Sequence, residues 1–320
     1  MFQRILVPLD GSARAEEALS IAARIARASG GSVHLLQVVS SPIDYGGGLA
    51  AAPLLSERVI ESEVSTATDY LKTVAACPGL SGIRISTEIA CGLPAQYILA
   101  VARSGEVDLI VLCSHGRTGF TRWVLGSVAH TLAHESTVHT LILRESEPAS
   151  LLSRSDATRP LCALVPLDGS ALSETALIPA AGLVAALAAP AQRALCLAQV
   201  VKLVQATADD EGFVRQINVE ALQRAITYLA IAAERLQMTA KELRLAITWS
   251  VAQENDVVSA LVGLAEHGEK ECDLIVISTH GRGGLERLVM GSVAERLLTT
   301  TKLPMLIVRP PKQGCKPPVI

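Results

Sequence analysis

The sequence predicts two tandem α/β domains, each a doubly wound, five-stranded parallel sheet with helices on both faces. Three observations predict it. The octet "LVPLDGSA" stands at Leu6–Ala13 and again, unchanged, at Leu164–Ala171. A longer segment, "VDLIVLCSHGRTGFTRWVLGSVAHTLAHESTVHTLILR" (Val107–Arg144), matches "CDLIVISTHGRGGLERLVMGSVAERLLTTTKLPMLIVR" (Cys272–Arg309). Within each copy, short aliphatic runs alternate with helical stretches, the pattern of right-handed crossovers between parallel strands.

Each element has a local reason. "RILVPLD" is an apolar run closed by Asp10, and a helical stretch runs from Ala13 to about Ser29. "SVHLLQVV" (32–39) is the second strand, and a long segment that differs between copies leads into a helix from about Ser56 to Ala76. "IRISTEIA" (83–90) is the third strand. "LPAQYILAVARSG" is a helix with Pro94 in its first turn, where a missing N–H is tolerated. "VDLIVLCS" makes the fourth strand, a short helix follows Gly126, and "HTLILR" makes the fifth. Copy two repeats the order, with strands near 161–167, 194–201, 243–250, 273–278 and 304–309. The domains are therefore expected at 1–147 and 160–311, with a polar, unperiodic linker at 148–159 and a tail at 312–320.

Composition narrows the function. Half the residues are apolar and 3% are aromatic, which suits aliphatic parallel strands covered on both faces. A net charge of −3 and scarce aromatic platforms argue against nucleic-acid or membrane-surface binding. The seven cysteines form no CxxC pair and no metal-ligand spacing with His, so they read as reduced thiols. With no signal-peptide h-region before the first strand, the expected location is the cytoplasm. Thr175–Gln192 is free of charge and imitates a membrane span, but it holds Pro179, Gly182 and Pro190. Its counterpart in copy one is plainly amphipathic. We therefore expect a surface helix covered by another part of the protein and serving a contact between chains.

In open α/β sheets, ligands bind beyond the carboxyl ends of the strands where the winding reverses. Asp10 and Asp168 close the first strand of each copy. After the fourth strand come Ser114-His115-Gly116 and Thr279-His280-Gly281, then Gly126-Ser127 and Gly291-Ser292, each pair separated from its Gly by nine residues. Glycines that expose backbone amides beside a helix N-terminus make an anion site, and phosphate is its usual occupant. The segment is neither a Walker loop nor a GxGxxG fingerprint. Asp10 fits two roles, as the turn-former of "DGS" and as a partner for ribose hydroxyls or a bridging Mg²⁺; either or both satisfy the sequence.

These residues resemble the universal stress protein family in its tandem, nucleotide-binding form. Its pattern is Gly-x-x-Gly, nine residues, then Gly-Ser/Thr, with an Asp closing the first strand. The resemblance implies a Rossmann-like (adenine nucleotide alpha hydrolase-like) sheet and ATP as ligand, with Mg²⁺ at Asp10 and Asp168. It further implies contacts from Pro8, Asp10, Val38, Gly116, Gly119, Gly126, Ser127 and Val128 in copy one. In copy two they are Pro166, Asp168, Val200, Gly281, Gly284, Gly291, Ser292 and Val293. Three departures stand out. The first family glycine is Cys113 or Ser278, "CGLPAQ" becomes "VAQEND" so Gly92 and Pro94 lack counterparts, and Pro304 is matched by His139. The second departure makes copy two the weaker nucleotide candidate.

No catalytic residue is assigned. His115 and His280 have no acid partner at fixed spacing and read as turn residues, while Arg117 and Arg282 fit phosphate screening or plain solvation. Slow ATP turnover at most is expected, with bound nucleotide setting conformation in a stress-response or regulatory protein. The alternative is a non-nucleotide assembly protein of the same fold. Joining two copies in one chain imitates a homodimer, and further homo-oligomerisation is expected.

Overall fold

The computed structural model describes residues 2–40, 53–104, 106–114, 125–144, 159–188, 192–205, 211–268, 271–279 and 290–310, with side chains from residue 58 onward in the helix that begins at 53. Two compact units divide the chain, Met1–Leu152 and Ser153–Ile320.

In the first unit, strands β1 (Arg4–Leu9), β2 (Ser32–Val39), β3 (Arg84–Cys91), β4 (Leu109–Cys113) and β5 (His139–Leu143) lie in the order β3-β2-β1-β4-β5, all parallel. Helices α1 (Ala13–Ser29), α2 (Pro53–Ala75), α3 (Pro94–Arg103) and α4 (Ser127–Glu135) connect them, and a 3₁₀ turn at Pro78–Leu80 precedes β3. Right-handed crossovers place α1 and α2 on one face and α3 and α4 on the other. Accordingly, α1 packs on β1 and β4, and α3 packs on α4 and β2. The aliphatic run Ile5-Leu6-Val7 is wholly buried because both faces of β1 are covered. The winding reverses between β1 and β4, so a crevice opens at their carboxyl ends.

The second unit repeats this. Strands β6 (Leu161–Pro166), β7 (Arg193–Val201), β8 (Leu245–Gln253), β9 (Leu274–Ser278) and β10 (Met305–Val308) run parallel in the order β8-β7-β6-β9-β10. Its helices are α5 (Ala171–Glu174), α6 (Leu177–Leu187), α7 (Glu211–Arg235), α8 (Gln237–Leu243), α9 (Val257–His267) and α10 (Ser292–Thr300). Two tandem doubly wound sheets are thus present, as the sequence predicts.

One expectation needs correction. Where copy one has the single helix α1, copy two has α5 and α6, broken at Thr175-Ala176. Pro179 explains the break: it has no N–H to give Thr175, and its ring collides with that carbonyl. Ile21 stands at the matching position in α1. No residue from Ala176 to Ala188 is exposed. β6 and β7 cover α6 from below, and α8 of the same unit lies over it. The charge-free helix is thus covered by another part of its own unit, as expected, with Ile178, Gly182, Ala185 and Ala186 half-buried along one side. No helix among the described residues is long and apolar enough to cross a membrane.

Candidate functional site

At the carboxyl end of β1, the Asp10 carboxylate shapes the turn it stands in. Its Oδ1 accepts from the Ser12 amide at 3.0 Å and from the Ser12 hydroxyl at 2.6 Å. Ser12 Oγ in turn accepts from Ala15 N at 3.1 Å and caps α1. Gly11 sits between them at φ +80°, a conformation that a Cβ would strain. Copy two reproduces the arrangement: Asp168 Oδ1 accepts from Ser170 N at 3.0 Å and Ser170 Oγ at 2.6 Å, with Gly169 at φ +85°. The turn-forming role is therefore real.

Across the crevice, β4 leads to α4. Ser114 N donates to Leu143 O at 2.8 Å, and Gly126 N donates to Ser114 O at 2.8 Å. In copy two, Thr279 N donates to Val308 O at 3.2 Å and Gly291 N to Thr279 O at 2.7 Å. The two Gly amides, expected to face a ligand, are thus held by the protein's own strand ends. A Cβ on Gly291 would lie 3.0 Å from Thr279 O, so the glycine serves this close approach. The open donors begin one residue later. Gly126 O receives His130 N at 2.8 Å, and the amides of Ser127, Val128 and Ala129 have no hydrogen-bond partner among the described residues. Ser292, Val293 and Ala294 are left in the same state at the start of α10.

In the first unit these pieces line one cleft of about 710 Å³, bringing together Pro8, Asp10, Val38, Gly126, Ser127 and Val128. Its volume suits a small-molecule ligand, for which about 300–1,000 Å³ is usual. Helices α2, through Thr66 and Tyr70, and α3, through Pro94 and Ile98, form further walls. No Lys, Arg or His occurs among the described lining residues, so the electropositive element there is the N-terminus of α4. In the second unit Pro166, Asp168, Val200, Gly291, Ser292 and Val293 hold the matching positions on β6, its turn, β7 and α10. Gly116, Gly119, Gly281 and Gly284, with His115, His280, Arg117 and Arg282, lie outside the described residues.

The departures have physical consequences. Cys113 lines the cleft, but its thiol donates to Arg14 O at 3.0 Å. Burial first, and then the Glu17 charge, push that thiol up to about 12, which leaves it a poor nucleophile at neutral pH. Ser278 Oγ instead accepts from Thr175 Oγ1 at 3.4 Å. His139 packs edge-on against Phe2, with ring centroids 5.9 Å apart. Gly92, at φ +135°, donates its amide to Val39 O at 2.9 Å, and Pro94 then opens α3. Copy two replaces this Gly-Pro junction with charge. Asp256 caps α9 through Val258 N at 3.3 Å, and Arg296 of α10 grips the same carboxylate with two bonds of 2.9 Å.

That pair yields a pH prediction. The Arg296 hydrogen bonds, then Ser259, hold the Asp256 carboxyl down at about 2. A folded-state value below the unfolded one stabilises fully above the ordinary carboxylate range, and the contribution is lost as pH falls through about 2. In Arg296→Ala the Asp256 titration, followed by carboxyl NMR, should move up toward the ordinary range. An unchanged midpoint would refute the assignment.

Three duplicated residues escaped sequence reasoning. Tyr70 lines the cleft, and burial followed by Glu16 pushes its phenol well above the ordinary range. Tyr228 is pushed up to about 12 by burial and then by Glu174. Gln37 also lines the cleft, and both Gln37 and Gln199 bury an Oε1 that has no hydrogen-bond partner among the described residues. The signal was available: Tyr70/Tyr228 and Glu16/Glu174 keep the same spacing as the repeated octet, and "QVV" closes the second strand of both copies.

Comparison with known proteins gives a consistent result. The profile described as the universal stress protein family matches residues 1–144 and again 163–309. A universal stress protein of Mycolicibacterium smegmatis is 25% identical over 317 residues, spanning 96% of this chain and 97% of that one. One from Methanocaldococcus jannaschii is 31% identical over 146 residues, 45% of this chain and 84% of that one. The crystal structure of a universal stress protein from Archaeoglobus fulgidus covers 96% of this chain and 98% of its own, with a TM-score of 0.62 at 18% identity.

Proposed function

The chain belongs to the universal stress protein family, and on that premise we propose that its first unit binds ATP, with the phosphates at the N-terminus of α4. One observation carries the reading. Three successive amides, of Ser127, Val128 and Ala129, have no partner among the described residues, on the wall of a cleft that also contains Asp10. Donors of this kind favour an anion, because aligned peptide dipoles put partial positive charge at a helix start. Asp10 would repel phosphate directly, so its part is to accept from ribose hydroxyls or to hold Mg²⁺ against the phosphates. Val38, at the end of β2, offers backbone groups to the base.

The glycines act one step back from the ligand. Gly126 brings the chain close to Ser114 O and so aims the next three amides. In the second unit Gly291, Ser292 and Val293 supply the same device, with Pro166, Asp168 and Val200 beside it. The Asp256–Arg296 clamp stands where copy one has Gly92 and Pro94, so we assign the stronger site to the first unit. Nucleotide there sets conformation in a stress-response protein, with slow turnover at most. The ranges 1–147 and 160–311 are the proposed binding bodies, and the single chain takes the place of a homodimer.

The competing reading is an assembly protein that binds no nucleotide, favoured by the self-satisfied Gly126 and Gly291 amides. Denaturing freshly purified protein and separating the supernatant by chromatography should release ATP, close to one per chain if only the first unit fills. Added ATP with Mg²⁺ should raise the melting temperature. No released nucleotide together with no thermal shift would leave the assembly reading in place.

A further inference from the structure

Three cysteines on separate segments of the second unit meet at one point. Cys162 lies in β6, Cys196 in β7, and Cys272 immediately before β9. The Cys162 and Cys272 sulfurs are 3.7 Å apart, and these residues are 3% and 4% exposed. Cys272 also meets the Cys196 thiol, and Cys196 is half-buried. In copy one the matching positions are Arg4, His34 and Val107, so the cluster belongs to copy two alone. It lies toward the amino-terminal ends of the strands, away from the carboxyl-end crevice, and does not depend on the nucleotide reading.

We propose that Cys162 and Cys272 are a dithiol modification site, converted to a disulfide by a small peroxide. The backbone already holds the pair in position. Asp273 N donates to Cys162 O at 2.7 Å, and Cys162 N donates to Asp273 Oδ2 at 2.8 Å. Their sulfurs, 3.7 Å apart, need to close by less than about 2 Å to reach the length of an S–S bond. In the first step Cys162, as its thiolate, attacks one peroxide oxygen; the O–O bond breaks, the departing oxygen takes up a proton, and a sulfenic acid on Cys162 and ROH form, with Cys272 left as the resolving thiol. The neighbouring thiol then displaces water from that sulfur, closing the S–S bond. Two thiols are oxidised by two electrons and the peroxide is reduced, giving one disulfide, ROH and water. Contact with Cys162, then with Cys196, and burial push the Cys272 thiol well above its ordinary range. The pair therefore rests reduced and reacts slowly, and burial excludes glutathione-sized reagents.

The test uses the full chain with Cys77, Cys91 and Cys315 changed to Ser, treated with hydrogen peroxide, then denatured and alkylated. Loss of two thiols per chain, with a Cys162–Cys272 linked peptide two hydrogens lighter and reversible by dithiothreitol, is expected. Cys162→Ala should abolish the linked peptide while far-UV circular dichroism stays unchanged. Retention of all remaining thiols, or linkage of Cys272 to Cys196 or between chains, would overturn the proposal. Mapping of the background protein reads this without any change to the pair.

Discussion

Ser127→Pro should cut ATP affinity roughly ten- to a hundredfold while leaving the fold intact. The residue before it, Gly126, has φ −61° and ψ 150°, an extended conformation that a following proline accepts. Position 127 opens α4, where proline is tolerated because the N–H it removes has no helical partner. The substitution therefore deletes one anion-facing donor and little else. A hydrogen bond to a charged group contributes about 1.5–3 kcal/mol, which gives the stated range. Ser127→Ala keeps the amide and should bind far more like the parent. Ser292→Pro makes the same change in copy two and should leave affinity nearly unaltered if the first unit holds the tighter site. Calorimetric titration with ATP, paired with melting curves, reads both effects. Wild-type affinity in a folded Ser127→Pro protein would remove the amides from the account.

Leu183→Ala should destabilise the second unit by about 2–5 kcal/mol, the usual range for truncating an enclosed leucine. Leu183 is 0% exposed on α6, the helix that packs on β6, β7 and α8. Phe213→Ala offers a contrast, since Phe213 is 70% exposed and its loss should stay within about 0.5 kcal/mol. Denaturant unfolding gives the comparison, with separate transitions fitted for the two units where they resolve. If α6 instead joined chains, Leu183→Ala would change the sedimentation coefficient and spare the unfolding of an isolated chain.

The strands and helices were legible because their cause is local. The alternation of aliphatic runs with helical stretches, and its recurrence, determines a parallel sheet covered on both faces. Ends shifted by a residue or two, as at β3 (Arg84–Cys91) against the expected 83–90. Such ends are set by hydrogen bonding to neighbouring strands. The Thr175–Gln192 stretch was read as a covered helix, but its covering element was not legible for a related reason. Freedom from charge says that a helix is covered, but not by what, and α8 lies far along the chain.

Site residues divided along the same line. Asp10, Gly11 and Ser12 form a turn within three residues, so the duplicated "DGS" was sufficient to find it. Tyr70 and Gln37 were passed over because an isolated Tyr in a helix and a Gln in a strand carry no local signature. Only their convergence on one cleft singles them out.

By itself, then, the sequence determined the duplicated unit, the order of its elements, the acid at each β1-type strand end and the Gly-Ser start of α4 and α10. All of these follow from short-range periodicity and turn chemistry. The tertiary structure decided which amides are held: Gly126 and Gly291 close onto Ser114 O and Thr279 O, and the three that follow find no partner among the described residues. It also brought three cysteines together. A hydrogen-bond partner or a thiol neighbour depends on where distant strand ends come to rest, and no window of sequence contains that distance.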